Sequence, residues 1–374
     1  MTQSLNAYTA SQMQLGYGAA AINILLSLEK LDTEITWFPI GNPVLTIPKH
    51  EQIKKWIDRQ NNFNANYPSF TCWHENQLAL RLGKGLNYAL SFFELNKLNP
   101  RRISHLNSVD HILTPSKWGG SVLKEHDIKP PISVIPMGVD TQIFRPQKLE
   151  KEKDKFVVLV MGKWEIRKSH DLIPDIFHKA FENCEDVEFW MVTNNVFLTQ
   201  EETYEWQYYY QSILGEKLRE KIRFISPLST DIELANLMNK VSCGLSLSKS
   251  EGWDLPLLQM MACGIPVIAT NYSAHTEFCT SKNSYLIDID ELEVAFDGKW
   301  FGEGTDNQGE WAKIGPPQIN QTISHLKYLY KNRPDNPNGI KTAHKLTWNA
   351  CASKLKEIIY PKEELNPMDM YEVF

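Results

Sequence analysis

Residues 250–270 read Ser250-Glu251-Gly252-Trp253-Asp254-Leu255-Pro256-Leu257-Leu258-Gln259-Met260-Met261-Ala262-Cys263-Gly264-Ile265-Pro266-Val267-Ile268-Ala269-Thr270. An apolar stretch, residues 243–247, runs into the polar turn that opens this segment. The pattern predicts a strand, a turn, a short helix ended by Gly264, and a second strand begun at Pro266. The turn therefore lies at the carboxyl end of a strand and the amino end of a helix. Unpaired backbone N–H groups and the helix dipole converge there, which is where α/β proteins bind anions and nucleotides. Glu251 stands at the mouth of the turn. Gln259 follows about two helical turns later, on roughly the same face as the helix start.

The same alternation extends in both directions. Residues 35–38, 69–73, 86–93, 110–114 and 133–136 read as strands of a first series. Residues 156–161, 187–192, 222–225, 244–247 and 267–270 read as strands of a second. Helical patterns lie between them at 19–28, 51–59, from Ser116 onward, 171–181, 201–219 and 231–239, and later at 318–331 and 347–359. This is α/β layering. The run 148–155 is almost all charge and reads as an exposed linker. Residues 291–315 read as a loop or insertion. Two α/β halves on one linker imply a cleft to which the carboxyl ends of both sets of strands contribute.

Composition narrows the class. The 374 residues are 42% apolar and 22% charged, ordinary for a soluble globular chain of two or three domains. The net charge of −6 argues against bulk electrostatic binding to nucleic acid. Charge is uneven, with 15 Lys and Arg against 12 Asp and Glu through Glu150, and an acidic excess thereafter. None of the six cysteines stands in a metal-like or C-x-x-C spacing, so free thiols in a cytoplasmic, reducing compartment are expected. The first fifteen residues lack the apolar core of a signal peptide, and no apolar stretch approaches ~18–20 residues. Peripheral membrane contact stays open, as does the oligomeric state. No His, Asp or Glu cluster has metal spacing, and no Ser-His-Asp or Cys-His arrangement emerges.

Particular residues then resemble a known family. Val134-Ile135-Pro136-Met137-Gly138-Val139-Asp140 followed by Phe144-Arg145-Pro146 resembles the linker region of family 4 retaining glycosyltransferases, the group 1 transferases. Val158–Gly162 and Lys163-Trp164-Glu165-Ile166-Arg167-Lys168 resemble the family's first C-terminal strand and basic loop, and residues 250–270 its E-x7-E segment. Ser91-Phe92-Phe93-Glu94 and Thr114-Pro115-Ser116 match patterns of its N-terminal half. The resemblance covers most of residues 70–280. It implies the GT-B fold, two Rossmann-like domains facing across a cleft with a C-terminal helix crossing back to the first. The expected divisions are an acceptor-binding domain at 1–148, a nucleotide-sugar-binding domain at 149–345, and a returning helical segment at 346–374.

The resemblance also implies roles. Cleavage of a sugar–diphosphate bond leaves charge on the β-phosphate, which fixed cations must meet. Lys163 and Lys168 occupy the matching positions, with Arg167 able to substitute. Glu251 would hold donor-sugar hydroxyls, aided by Gly252 and the backbone N–H groups of Trp253, Asp254 and Leu255. Asp254 replaces a commoner glycine and is expected to narrow the sugar pocket. Gln259 replaces the glutamate that usually accepts from the ribose hydroxyls, losing charge assistance of about 1 kcal/mol. Gly16 and Gly18 would let the first loop approach the diphosphate. His74 and Glu94, at strand ends, would face the transferred sugar or acceptor, with Glu75, Asn271, Ser273 and Glu277 nearby. The aromatics Tyr204, Trp206, Tyr208, Tyr209 and Tyr210 read as core or interface before carbohydrate stacking.

The activity implied is transfer of a sugar from a UDP- or GDP-sugar to a hydroxyl acceptor, with retention, without metal and without a resident cofactor. A GT-B nucleotide-sugar epimerase, a non-catalytic nucleotide-sugar-binding protein and a DNA-base-modifying glucosyltransferase are the alternatives.

Overall fold

The computed structural model describes residues 3–44, 50–148, 155–301 and 308–361. Its first sheet collects β1 (Gln3–Gln12), β2 (Thr33–Val44), β3 (Ser69–Cys72), β4 (Asn87–Leu90), β5 (His111–Thr114) and β6 (Ile132–Val134). All pairings are parallel, in the order β2-β1-β3-β4-β5-β6. Strand β1 escapes the sequence pattern because it carries little apolar bulk, yet it lies inside the sheet. Small residues make this tolerable: Ala7, Thr9, Ala10 and Ser11 are buried. Their polar atoms are matched, with the Trp37 indole N–H donating to Thr9 Oγ1 at 2.9 Å and Ser11 Oγ donating to Ile40 O at 2.8 Å. Strand β2 runs through Pro39 rather than stopping there, since it is an edge strand on which a missing donor costs little.

Helices α1 (Gly16–Lys30), α2 (His50–Asp58), α3 (Pro100–Leu106) and α4 (Lys117–Lys124) accompany this sheet. Helix α3 is short and was not foreseen; Asn99 caps it by accepting from the Arg102 N–H. Ser116 caps α4 in the same way through Gly119.

The second sheet contains β7 (Phe156–Gly162), β8 (Val187–Thr193), β9 (Ile222–Phe224), β10 (Cys243–Ser246), β11 (Val267–Thr270) and β12 (Tyr285–Ile287). It is also parallel, in the order β12-β11-β10-β7-β8-β9. Between and after these strands come α5 (Ile173–Phe181), α6 (Gln200–Arg219), α7 (Asp231–Met238), α8 (Leu255–Ala262), α9 (Pro316–Asn332), α10 (Pro337–Lys345) and α11 (Trp348–Ile359). The segment expected to be a loop contains an antiparallel hairpin, β13 (Leu292–Val294) with β14 (Glu310–Ala312). The expected linker falls largely on residues 149–154, outside the described residues.

Helix α11 crosses back to the first sheet, as expected. Its buried Trp348, Cys351, Ala352, Leu355 and Ile359 form one helical stripe, and the helix packs on α1. Tyr360 Oη donates to Ser4 O at 2.7 Å, and the Lys356 ammonium donates to Leu31 O. Gly138 lets the crossing happen: a Cβ there would lie 2.2 Å from the Trp348 backbone nitrogen.

Strand order reverses between β1 and β3 in the first sheet and between β7 and β10 in the second. Open parallel sheets bind ligands in the crevice beyond such reversals, at the strands' carboxyl ends. The two halves meet on this side. Gly252 abuts Phe92, and the Lys117 N–H donates to Glu277 Oε2 at 2.8 Å. The Trp118 and Tyr272 rings touch edge to face, and the Glu310 N–H donates to Asn96 Oδ1 at 2.8 Å.

Candidate functional site

The second reversal holds the basic loop and the Glu251 turn together. Strand β7 ends at Gly162 with φ 140°, and the loop closes through a 3-10 turn, Ile166–Lys168, that ends at Ser169 with φ 58°. The Ser169 hydroxyl donates to Leu247 O at 2.6 Å, and the Lys249 N–H donates to Arg167 O at 2.7 Å. These bonds stitch the loop after β7 to the segment after β10.

Arg167 is the hub. Its side chain is 3% exposed. Nη1 donates to Ser250 O at 2.7 Å and to Glu251 Oε1 at 3.1 Å, while Nη2 reaches Glu165 Oε2 at 2.8 Å and Glu94 Oε1 at 3.1 Å. Burial works against its charge, but Glu94, Glu251 and Glu165 outweigh burial and hold the guanidinium above its ordinary pKa. Arg167 is therefore committed to three carboxylates and a carbonyl. In this structure its fork is not offered to a ligand; it aims Glu251 and ties Glu94, from the first half, to the second.

The two lysines differ. Lys168 is half-buried, its side chain 12% exposed, and its ammonium contacts Glu251 Oε1. Desolvation would lower its pKa, but Glu251 and Asp254 raise it above the ordinary lysine value. Lys163 is 37% exposed, with Nζ 3.4 Å from Glu165 Oε1 and 5.5 Å over the Phe197 ring. Burial penalises the Glu165 carboxylate, yet Arg167, Lys163 and Lys168 hold it below the usual carboxylate range. Glu165 was not singled out from sequence; the signal was an acidic residue inside an otherwise basic loop.

Asp254 behaves unlike the expectation drawn for it. It adopts φ 81° and ψ 73°, the left-handed region, and serves as N-cap of α8. Its side chain turns inward instead of into the cleft. Oδ1 accepts from the Leu257 N–H at 3.3 Å, and Oδ2 accepts from Ser246 Oγ at 2.5 Å and His275 Nε2 at 3.0 Å. Desolvation opposes the charge, but Lys168 and His275 hold the Asp254 carboxyl below the usual range. His275 is fully buried in the 3-10 turn Ser273–Glu277. Its Nδ1 lies 3.1 Å from Thr270 Oγ1 and 3.1 Å from Thr270 O, and the Thr270 hydroxyl already donates to Ser248 O at 2.6 Å. Both ring nitrogens thus have oxygen partners within the protein. Sequence reading passed over His275, a single histidine after a strand.

Ser273 has φ 50°, and its hydroxyl accepts from the Glu251 N–H at 2.8 Å. Ser169, Asp254 and Ser273 are three of five non-glycine residues with positive φ among the described residues. Such backbone is costly and concentrates at working sites. Trp253 is buried against Phe278, at a ring separation of 4.9 Å. Leu255 begins α8 and is half-buried. Gln259 is half-buried on α8 and makes no side-chain hydrogen bond among the described residues. Gly252 is sterically required, because a Cβ would lie 2.6 Å from Phe92 Cβ.

The first reversal supplies the opposite wall. Gly18 sits in the first turn of α1, where a Cβ would lie 2.0 Å from Gln12 O, so close packing on β1 accounts for it. A Cβ on Gly16 would meet nothing within 4 Å. Tyr17 between them accepts from the Phe92 N–H at 3.0 Å. Trp73 and exposed His74 follow β3, and Glu75 pairs with Arg102 at 3.2 Å. Glu94, 40% exposed, reaches across to Arg167. Asn271 and Glu277 lie beyond β11, where Glu277 joins α4 instead of the basic loop. Of the aromatic run on α6, Tyr210 is core and donates to or accepts from His170, Trp206 stacks on Trp164, and Tyr204 and Tyr208 are exposed. Among the described residues no cluster of three His, Cys, Asp or Glu could hold a metal. No described helix is long and apolar enough to cross a membrane.

Comparison with known proteins agrees with this layout. Residues 141–293 match the family model for glycosyl transferases group 1. A probable sucrose-phosphate synthase of Thermosipho melanesiensis is 24% identical over 171 residues, covering 44% of this chain and 38% of the relative. An MMP alpha-(1->4)-mannosyltransferase of Mycolicibacterium hassiacum is 25% identical over 230 residues, covering 60% and 51%. The chain thus spans about half or less of these curated relatives. Among solved structures, Anabaena HepE in complex with UDP-glucose superposes with a TM-score of 0.68 at 13% identity, over 95% of this chain and 99% of that one. Sucrose-phosphate synthase from Thermosynechococcus elongatus gives 0.65 at 14%, over 95% and 98%. Residues 141–293 are thus similar to the glycosyl transferases group 1, and the chain has the GT-B fold of its solved neighbours.

Proposed function

We propose that this chain is a retaining glycosyltransferase that moves a sugar from a nucleoside-diphosphate sugar to an acceptor hydroxyl. One observation carries the reading: Lys163, Lys168 and Glu251 converge where β7 and β10 part, facing the first sheet across a narrow seam. The donor binds to the half spanning 149–345, the acceptor to residues 1–148, and residues 346–374 return to the first half. The UDP-glucose in the HepE structure supports a UDP-sugar as the first donor to try.

In this mechanism Glu251, aimed by Arg167, holds donor-sugar hydroxyls. Lys168 exchanges its contact with Glu251 for the diphosphate, and Lys163 meets the diphosphate from the open side. The bond from the anomeric carbon to the β-phosphate oxygen breaks through an oxocarbenium-like state. The acceptor oxygen attacks the same face, and its proton passes to the leaving phosphate. The lysines supply the positive charge that the leaving group needs. In this reading Gln259 serves the ribose as a neutral partner, and Glu94 and His74 serve the acceptor side.

The test is nucleoside-diphosphate release from UDP-glucose and GDP-mannose with a hydroxyl acceptor, in excess chelator. Each of Lys163→Ala and Lys168→Ala lowers transfer by ~10²–10³-fold. Full activity in the double variant would show the lysines are not the leaving-group cations, and metal-dependent transfer would remove the metal-free assignment.

A further inference from the structure

The first reversal point, between β1 and β3, carries an aromatic wall that the donor reading leaves unused. Tyr17 follows β1, Trp73 and His74 follow β3, and Phe92 follows β4. Ring centroids of Tyr17 and His74 are 4.5 Å apart, those of Trp73 and His74 5.1 Å, and those of Tyr17 and Phe92 4.7 Å. The wall directly adjoins the donor half, since Phe92 is the residue that Gly252 touches.

The polar handles of these rings are consumed within the protein. Tyr17 Oη is held by the Phe92 backbone, and the Trp73 indole N–H donates to Gln77 Oε1. Burial, followed by Glu75, pushes the Tyr17 phenol well up, so it stays neutral. What Trp73 presents is therefore ring surface. His74 differs: it is exposed, and neither ring nitrogen has a protein partner among the described residues. Asn76 and Gln77 follow at once, with Gln77 exposed. Fixed apolar ring faces bordered by an unpaired imidazole and by exposed amide groups match one ligand chemistry. A pyranose has an apolar C–H face and a rim of hydroxyls, and a simple alkyl chain would leave the polar groups unmatched.

We propose that Trp73 and His74 form the acceptor subsite and that the acceptor is a carbohydrate, its ring lying on this wall with a hydroxyl directed toward the Glu251 turn. This rests on the transferase reading above and names its second substrate. Tyr17 and Phe92 act through Trp73 and His74 as positioning residues.

The experiment has a binding arm and a transfer arm. Saturation-transfer NMR with methyl glucoside, methyl mannoside and methyl galactoside reads binding without reaction. At least one pyranoside receives saturation on its C–H protons from the wild-type chain. Trp73→Ala and the exposed-site variant His74→Ala raise its half-saturating concentration about 3- to 10-fold, and Trp73→Phe recovers most of the loss. UDP titration by calorimetry is unchanged in all three variants, which also reports that they are folded. In the transfer arm, the KM for the pyranoside rises with the same ordering. A Trp73→Ala chain that binds UDP as the wild type does and the pyranoside equally well overturns the subsite. So does transfer to dodecanol in micelles with none to any pyranoside, which leaves the transferase reading standing. Pyranoside binding at Trp73 without transfer from any donor supports the subsite and defeats the transferase reading instead.

Discussion

Removing His275 gives the sharpest test of how the Glu251 turn is held. In His275→Leu the buried Asp254 carboxylate, 3% exposed, loses its Nε2–H donor at 3.0 Å. It keeps Ser246 Oγ and the Leu257 N–H, and Lys168 acts on it through space. Leaving a buried carboxylate short of one hydrogen-bond partner costs about 2–3 kcal/mol, because the group stays desolvated. Asp254→Gly removes that charge. It also relieves the left-handed backbone, worth roughly 1–2 kcal/mol, against loss of an N-cap worth about 1 kcal/mol. The double variant is therefore more stable than His275→Leu alone, with a coupling of about 2–3 kcal/mol. Because the chain has two halves, the measurement should be local. Native-state hydrogen exchange of the α8 amides reads the opening free energy of that helix without assuming two-state unfolding of the whole. Transfer activity should fall with α8 protection, since the turn carrying His275 also holds the Glu251 N–H through Ser273. A cost below about 1 kcal/mol in His275→Leu, or additive costs in the double variant, would refute the argument.

Two other perturbations have defined outcomes. Gly252→Ala forces a Cβ to within 2.6 Å of Phe92 Cβ, so the halves must part; overpacking of about 1–3 kcal/mol should lower transfer 5- to 150-fold and enlarge the particle in small-angle scattering, and an unchanged rate would show that closure does not limit the reaction. Burial, reinforced by Lys168, pushes the His170 imidazole down to about 3. The unfolded chain, with an ordinary value near ~6.5, then binds the proton first, so stability falls as pH drops through the window from ~6.5 toward 3. His170→Gln should flatten the urea-midpoint change between pH 7 and about 4.5. The depressed Asp254 and Glu165 carboxylates act in the same direction, but their contribution is lost only below about pH 5, so a wild-type slope above pH ~5 in the variant would exclude His170 as its source.

The legible parts of this fold were those written in apolar runs. Strands β7 and β11 are largely buried and appear as Val, Leu and Ile stretches, and β8 and β10 as other apolar runs, so their ends, and the two loops that make the site, could be placed from sequence. Strand β1 is equally buried but built from Ala, Ser, Thr and Asn, whose polar atoms find partners only in three dimensions. The hairpin β13–β14 was invisible for a related reason: Trp311 is buried against Leu95 of the other half, a contact that no local pattern reports. At the site, the resemblance to group 1 transferases brought Lys163, Lys168 and Glu251 together. It could not show that Arg167 is spent inside the protein, because Arg167 and Lys168 are adjacent in sequence and only the 3-10 turn decides which of them faces inward. Asp254 was misread for want of its partner, since an acidic residue at a helix start suggests an open pocket until a buried imidazole twenty-one residues later is seen to claim it.

Under the proposed function, the charge layout makes donor binding and closure one event. Arg167, Lys163 and Lys168 meet Glu94, Glu165, Glu251 and Asp254, so the site holds its cations against carboxylates and not free in solution. Three of those carboxylates belong to the second half, and Glu94 belongs to the first. On the proposed reading, a diphosphate arriving at Lys168 competes with Glu251 for that ammonium. Glu251 then depends more heavily on Arg167, the same fork that binds Glu94 at 3.1 Å across the seam. Strengthening one arm of a buried fork changes what the other arms experience, because desolvated charges are screened weakly. The Glu94–Arg167 contact is thus the point at which the donor half can alter the acceptor wall. Glu94→Gln keeps the shape and removes the charge. UDP should therefore tighten pyranoside binding to the wild type, and the variant should bind UDP as the wild type does yet show no such tightening; an equal improvement in both chains would place the coupling elsewhere.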